Sequence, residues 1–322
     1  MSDRRLLVTG ACGCIGAWVV HELVGAGEDV VSFDLSTDRR RLALLLEPEE
    51  LERIPHVAGD ISDLGAVERA LDGHGITNVI HLAALQVPFC RADPPLGARV
   101  NVVGTANVFE AVRRRPVRIG PVVYASSIAA YDAPDGDRPP SMSAHPGTLY
   151  GVYKRANEST AHLYGAEGGV ASVGLRPHIV YGVGRDQGLT STVTAAMLAA
   201  AAGGPYTIPY GGSAQVQLAA DVARAFVEAS RAGGGGAVVH NLPGRPASVA
   251  EVITAITEAV PGSAGSIGYE DVRLPFPEEV DSSSFERAFP GFAVTSLSDG
   301  VRATTRRFAA LLGRGAALAP AT

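Results

Sequence analysis

The run Leu6-Leu7-Val8-Thr9, followed at once by Gly10-Ala11-Cys12-Gly13-Cys14-Ile15-Gly16, constrains this chain more than any other feature. A short apolar strand ends in three evenly spaced glycines, and Ile15, Val19 and Leu23 then recur at helical spacing. In a strand–turn–helix each glycine has its own reason. Gly10 permits the tight turn, Gly13 leaves space where a pyrophosphate must approach, and Gly16 lets the helix pack on the strand. The helix start, with Cys14 and Ile15 in its first turn, presents unpaired N–H groups and the positive end of its dipole to phosphate. Among 38 glycines such a pattern arises by chance; the order of strand, turn and helix makes nucleotide binding the expectation. Cys12 and Cys14 suggest a metal or redox pair, but no further Cys or His cluster completes a site, so no metal is expected.

The rhythm continues. Leu6 to Thr9, Val30 to Asp34, His56 to Gly59, Asn78 to Ala84, Val122 to Ser127 and Val170 to Arg176 read as buried strands. Between them Leu64, Val67 and Leu71, then Val102, Ala106, Phe109 and Val112, recur at helical spacing. This alternation predicts an α/β fold, a Rossmann-type doubly wound parallel sheet with helices on both faces. After Arg176 the pattern changes to a Gly- and Pro-rich loop over 177–188, a helix over 189–202, turns over 203–212 and a helix over 219–232. A glycine run over 233–236, a strand over 237–242, a helix from Val249, a loop with Pro275 and Pro277, and a helix over 297–312 follow. The expected division is a nucleotide-binding domain over 1–176, to which 215–243 returns. A smaller discontinuous substrate lobe covers 177–214 and 244–312, and 313–322 is a flexible tail.

Asp34 closes the second predicted strand eighteen residues beyond Gly16. A carboxylate there accepts hydrogen bonds from both ribose hydroxyls of NAD and repels a 2′-phosphate, so NAD is favoured over NADP despite Arg39, Arg40 and Arg41 nearby. Asp60-Ile61, after the third strand, falls where an adenine would lie. Tyr150 and Lys154 share a helical face at i and i+4. A phenol titrates near 10; lowering it by ~2–3 units needs roughly 3–4 kcal/mol, which a close ammonium and a positive nicotinamide ring are expected to supply. Tyr150 would then exchange the proton of a substrate hydroxyl. The alternative is a surface pair on an amphipathic helix. Ser126-Ser127, at the end of the preceding strand, favours the catalytic reading, because a hydroxyl there can hold the substrate oxygen.

With these pieces in place the chain closely resembles the extended short-chain dehydrogenase/reductases, in their NAD-dependent epimerase/dehydratase-like branch. The resemblance runs from about Leu6 to Leu312. It rests on the glycine turn, Asp60-Ile61, His81-Leu82-Ala83-Ala84, Asn101-Val102-Val103-Gly104-Thr105, Ser126-Ser127, Tyr150 with Lys154, and Leu175-Arg176-Pro177 with Val180-Tyr181-Gly182. It implies Ser127 as the catalytic hydroxyl, Tyr150 as acid/base, and Lys154 as the ribose-binding lysine. Leu82, Ala83 and Ala84 would line the cofactor, Asn101 would lie near the active site, and the segment with Pro177 and Ile179 would close over the nicotinamide. A homodimer through the helices carrying Asn101 and Tyr150 is also implied. Tyr153 is bulkier than the small residue usual at its place and reads as packing or a substrate contact.

The departures bear on substrate. Nucleotide-sugar members carry Asn where this chain has Ile179 and Arg where it has Ala214, with only Gln215 and Gln217 nearby. Two polar anchors for a diphosphate are thereby missing, and charge-assisted bonds contribute ~1.5–3 kcal/mol each. Arg185 and Arg273 remain as contacts for an anion or as solvated surface charges. His178 and Gln86 are candidates for contacting substrate or for packing. The expected activity is hydride transfer between NAD and a secondary alcohol or ketone of a small polar molecule such as a sugar, sugar acid or polyol. An epimerase that keeps its NAD, acting on a sugar or nucleotide sugar, is the alternative; a non-catalytic NAD-binding regulator is a weaker one, given the intact Ser127, Tyr150 and Lys154.

Composition limits the rest. Lys and Arg total 27 against 33 Asp and Glu, a net charge of −6, which disfavours nucleic acid or an anionic membrane as partner. The longest apolar stretch, 195–202, is far below the ~20 residues of a membrane span. Three cysteines, two of them one residue apart, fit no disulfide framework and point to a reducing cytoplasm.

Overall fold

The computed structural model describes residues 4–115, 119–132, 141–143, 145–233, 235–274, 276–316 and 318. Its main sheet has seven strands in the order β10-β6-β5-β4-β1-β2-β3, every neighbouring pair parallel. They are β1 (Arg5–Thr9), β2 (Asp29–Asp34), β3 (His56–Ala58), β4 (Asn78–His81), β5 (Val122–Ala125), β6 (Ser172–Arg176) and β10 (Ala237–Asn241). Helices cover both faces, so strands are apolar on both sides. In β1, Leu6 and Val8 enter one core and Leu7 the other, all three with 0% exposure. Helices Cys14–Gly25 and Ala219–Arg231 pack against each other on the first face. On the second, Gly104–Arg113 packs against both Leu64–Gly73 and Leu149–Gly168.

β4 and β5 are shorter than the sequence suggests. The chain leaves the sheet after His81 and Ala125, so 82–85 and 126–127 form the loops at the carboxyl edge where ligands bind such sheets. The lobe contains strands where the sequence suggests loop and turns: β7 (Ile179–Tyr181), β8 (Tyr206–Ile208), β9 (Ser213–Leu218), β11 (Pro246–Ser248) and β12 (Ile267–Tyr269). They form one sheet in the order β11-β9-β7 and a pair β12-β8. Residues 215–218 lie in β9 of the small sheet, whereas helix Ala219–Arg231 packs on the first face of the main sheet and β10 forms its edge.

Of the expected flexible tail, Ala316 and Leu318 pack on the core. Residues 317 and 319–322 lie outside the described residues, as do Gly234 of the glycine run and Pro275. No helix among the described residues is long and apolar enough to cross a membrane.

Candidate active site

At the end of β1 the chain turns at Gly10 with φ 68°, a conformation open to glycine. A Cβ there would stand 2.6 Å from the Ala83 nitrogen, and one on Gly16 would stand 2.1 Å from the Gly10 oxygen. The two glycines therefore let the turn touch the end of β4 and let the first helix touch the turn. That helix starts at Gly13 without a side-chain cap, which leaves its first N–H groups for an anion. At the end of β2, Asp34 accepts the Cys12 N–H on Oδ2 and the Ser36 N–H on Oδ1, both at 2.9 Å. Each oxygen keeps a lone pair for a ribose hydroxyl.

Two of the neighbouring arginines are committed elsewhere, Arg39 to the Leu51 carbonyl at 2.7 Å and Arg41 to the Cys12 carbonyl at 2.9 Å and to Asp186. Arg40 is half exposed, 3.5 Å from Asp38 and 3.8 Å from Asp186. Asp34, Asp60, Ile61, Leu82, Ala83 and Ala84 border one chamber of about 530 Å³. A dinucleotide with a free 2′-hydroxyl fits this cradle.

The carboxyl edge is held from beneath by His81, buried between two hydroxyls. Thr9 Oγ1 accepts the N–H groups of Leu82 (3.2 Å) and Ala83 (3.3 Å), so its own proton goes to His81 Nδ1 at 2.7 Å. Nε2–H then donates to Thr105 Oγ1 at 3.0 Å, and Thr105 donates to the Asn101 carbonyl at 2.7 Å. Burial, then the nearby Lys154 charge, pushes His81 down to about 3, so the ring stays neutral. Asn101 lies in the π-turn Arg99–Val103 and is buried. It accepts the Leu85 N–H at 2.7 Å and donates to the Leu85 carbonyl at 3.0 Å. It does not border the groove. Its two bonds to Leu85 brace the loop after β4.

A second chamber, of about 260 Å³, holds the reactive set: Ser127, Tyr150, Lys154, Gln86, Pro177, His178, Ile179 and Arg185 border it. Its walls share Gly10, Gly13, Cys14, Leu82, Ala84, Gln86 and Arg185 with the first, so the two are one groove with a waist. Tyr150 and Lys154 project from helix Leu149–Gly168, whose Thr148 cap accepts the Gly151 N–H. A Cβ on Gly151 would stand 2.0 Å from the Ala129 oxygen. Glycine at 151 thus lets this helix close against the short Ile128–Ala130 turn that Ser127 caps. The Ser126 hydroxyl is consumed by Glu158, which leaves Ser127, whose oxygen accepts the Ala129 N–H at 3.1 Å, as the hydroxyl beside Tyr150. Glu158 in turn receives Arg176 on both oxygens, at 2.7 and 2.6 Å.

Electrostatics here depart from expectation. Lys154 Nζ donates to the Ala125 carbonyl at 2.6 Å and lies 5.4 Å from the Tyr150 ring centre. Burial pushes the Tyr150 phenol up to about 12, against the pull of the Ser127 hydroxyl and the Arg185 charge. Burial also pushes the Lys154 ammonium down to about 8. In the protein by itself, loss of water decides the phenol, and the positive charge that pulls it down is Arg185, not the lysine expected to do so.

His178 Nε2–H donates to the Pro277 carbonyl at 2.7 Å, its Nδ1 is buried without a partner, and burial pushes it down to about 4. Arg185 donates to Gln86 at 3.2 Å and Thr190 at 3.1 Å, both neutral, with a buried, unpartnered Nε. Arg273 is a surface charge, its side chain 85% exposed and 3.9 Å from Glu278, and it borders neither chamber. Tyr153 packs, donating to the Pro94 carbonyl at 3.0 Å. Ile179 and Ala214 are core residues, 2% and 8% exposed. The sequence gives no sign of Thr148, Thr190 and Phe276 as chamber walls, or of Glu158 behind Ser126; none carries a motif, although Thr148 has the form of a helix cap.

Comparison with known proteins agrees with this geometry. The sequence profile of the NAD dependent epimerase/dehydratase family matches residues 6–240. A UDP-glucose 4-epimerase of Mycolicibacterium smegmatis is 33% identical over 264 residues, 80% of this chain and 82% of that protein. UDP-glucuronate 4-epimerase 2 of Arabidopsis thaliana is 31% identical over 55% of this chain, but the match spans only 42% of that longer relative. Among solved structures, the UDP-glucose 4-epimerase of Thermus thermophilus in complex with NAD has a TM-score of 0.78 at 27% identity, covering 97% of this chain and 100% of that one. A GalE-like L-threonine dehydrogenase from Cupriavidus necator has 0.80 at 25%, covering 94% and 99%. The glycine turn, the doubly wound sheet and the profile match agree: this chain belongs to the NAD-dependent epimerase/dehydratase family of extended short-chain dehydrogenase/reductases, and is an enzyme whose cofactor is NAD.

Proposed function

We propose that the protein oxidises a secondary alcohol, or reduces the matching ketone, on a small polar and preferably acidic molecule: a sugar acid first, then a sugar or polyol. The observation that carries this is the apolar pair Ile179 and Ala214. Nucleotide-sugar members place a substrate-contacting Asn and a diphosphate-binding Arg at those positions; here Ile179 is a buried apolar wall of the reactive chamber and Ala214 is core. The nearest polar side chains, Gln215 and Gln217, spend their amide N–H groups on the backbone carbonyls of Gly244, Val280, Leu242 and Pro243, and the Gln217 oxygen accepts the His178 N–H. Arg185, whose bonds are all to neutral groups, offers a charge to a carboxylate.

In this reading the NAD cofactor, when bound, supplies the acceptor or donor of hydride. Ser127 holds the substrate oxygen and Tyr150 takes the hydroxyl proton in oxidation or returns it in reduction. Lys154 holds the nicotinamide-side ribose, with Gly13, Cys14, Ile15, Gly16, Asp34, Asp60 and Ile61 along the rest of the dinucleotide. Gln86 and His178 Nδ1 are left to meet further substrate groups. Val103, Leu149 and Val152, all more than two-fifths exposed on the helices of Asn101 and Tyr150, support a homodimer. Three free cysteines suit a reducing cytoplasm.

The epimerase reading keeps a specific support, the UDP-glucose 4-epimerase of M. smegmatis, matched over most of both chains. Purified protein tested for NADH formation on free sugars, sugar acids and polyols, beside UDP-, GDP- and dTDP-sugars, separates the two. Stoichiometric NADH from a free acid or sugar, lost in Tyr150→Phe, supports the dehydrogenase. Interconversion of a sugar nucleotide without net NADH overturns it.

A further inference from the structure

The segment Gly182–Gly188 crosses the groove and is fastened at both sides. Its glycines 182, 184 and 188 have φ of 137°, 83° and 89°, so the backbone bends sharply where side chains are disfavoured. Arg185 reaches over the waist to Gln86 Oε1 at 3.2 Å. Asp186 turns the other way, to Arg41. Arg41 Nη2 stands 2.6 Å from Asp186 Oδ1, and its Nε donates to the same carboxylate at 3.0 and 3.2 Å. The pair is only 13% and 20% exposed. Arg41 Nη1 donates to the Cys12 carbonyl, while Asp34 takes the N–H of that same residue. One guanidinium therefore ties the phosphate-binding turn to the crossing segment. Gly184, Arg185, Asp186 and Gln187 face Asp34 and Asp60 in the larger chamber.

We propose that the Arg41–Asp186 ion pair is a clasp that retains the dinucleotide: the segment Gly182–Gly188 straps the cofactor groove, and NAD enters or leaves only when the clasp parts. The two residues are 145 positions apart and neither belongs to a dinucleotide motif. The clasp sets the rate of cofactor exchange and leaves hydride transfer unchanged, because it lies at the ribose side of the waist, away from Tyr150. It holds for a dehydrogenase or an epimerase alike, so its fate is independent of the substrate reading.

The test is the release rate of NADH, followed by loss of its protein-bound fluorescence during a chase with excess NAD. Asp186→Asn and Arg41→Met should each speed release roughly tenfold, equivalent to about 1.4 kcal/mol. The double variant should be no faster than the faster single, because both remove one interaction. Single-turnover hydride transfer should change less than twofold. Release rates within twofold of the parent, or effects that multiply in the double variant, overturn the proposal. Arg41→Lys, which keeps a positive charge beside Asp186, should release NADH more slowly than Arg41→Met; equal release by the two variants overturns the proposal.

Discussion

Glu158 offers the sharpest test of how the catalytic edge is held. Its carboxylate lies behind Ser126, 9% exposed, and Arg176, 11% exposed, meets both of its oxygens. Glu158→Gln keeps the shape and removes the charge, leaving a guanidinium buried with weaker partners: Tyr131 Oη at 3.2 Å, Asn241 Oδ1 at 3.3 Å and the Tyr131 ring at 5.0 Å. Breaking one side of such a pair costs about 3–5 kcal/mol. The residual partners and the remaining amide oxygen place the expectation at the lower end, about 3 kcal/mol. At ~2–4 °C per kcal/mol the melting temperature should fall by roughly 6–12 °C. Urea unfolding followed by far-UV circular dichroism measures the free energy directly. Glu158→Met with Arg176→Met removes both charges and should recover at least about 1 kcal/mol relative to Glu158→Gln. A loss below about 1 kcal/mol in the single variant, or no recovery in the double, would refute the reasoning.

Three further outcomes are expected. Tyr150→Phe should lower kcat by about 10²–10⁴-fold while NADH binding, read by fluorescence titration, stays within a few-fold. Gly10→Ala should abolish NADH binding and lower the melting temperature, since its Cβ would meet the backbone of Ala83 at 2.6 Å and 2.8 Å with φ at 68°; an alanine variant that melts and binds like the parent would show the turn to be relaxed. Lys154→Met should stabilise the protein at pH 7 by on the order of 2 kcal/mol, allowing for the lost bond to Ala125. The sign follows from a folded pKa of about 8 against 10.5 for the free side chain. The buried ammonium costs stability below about pH 8, and that cost shrinks as pH rises toward 10.5, where the unfolded chain also gives up its proton. The advantage of the variant over the parent, from melts across this range, should therefore fade with rising pH.

The sequence makes the main sheet legible because its strands are buried on both faces and read as unbroken apolar runs, and because glycine, Asp34, Tyr150 and Lys154 keep fixed spacings. The lobe is less legible. β7, β8, β11 and β12 have three residues each, too few to show a period of two. β9 does alternate, but Gln215 and Gln217 are buried, their amide N–H groups held by carbonyls from segments 25 or more residues away. Glu158 passes for an ordinary helix residue because its partners are 18 and 32 positions distant. Asn101 is conspicuous, yet only the π-turn shows that it grips Leu85 instead of reaching the groove. The phenol and ammonium shifts escape the sequence for a related reason, since spacing reveals proximity and not the depth at which water is lost.

The strand register has a consequence for how such chains can be recombined. Arg176 and Asn241 are paired at the ends of β6 and β10, and the Leu242 N–H donates to the Arg176 carbonyl at 3.2 Å. The chain leaves the main sheet at these two adjacent strand ends, roughly 5 Å apart, and comes back once, at Ala219. A foreign lobe would therefore join the host at three seams, after 176, 218 and 241, two of them neighbouring points of a single parallel pair. Exchange at one seam alone would leave a mismatched small sheet, because β7 and β9 precede Ala219 and β11 follows Asn241, so chimeras in this architecture should succeed when all three seams are crossed together and fail singly.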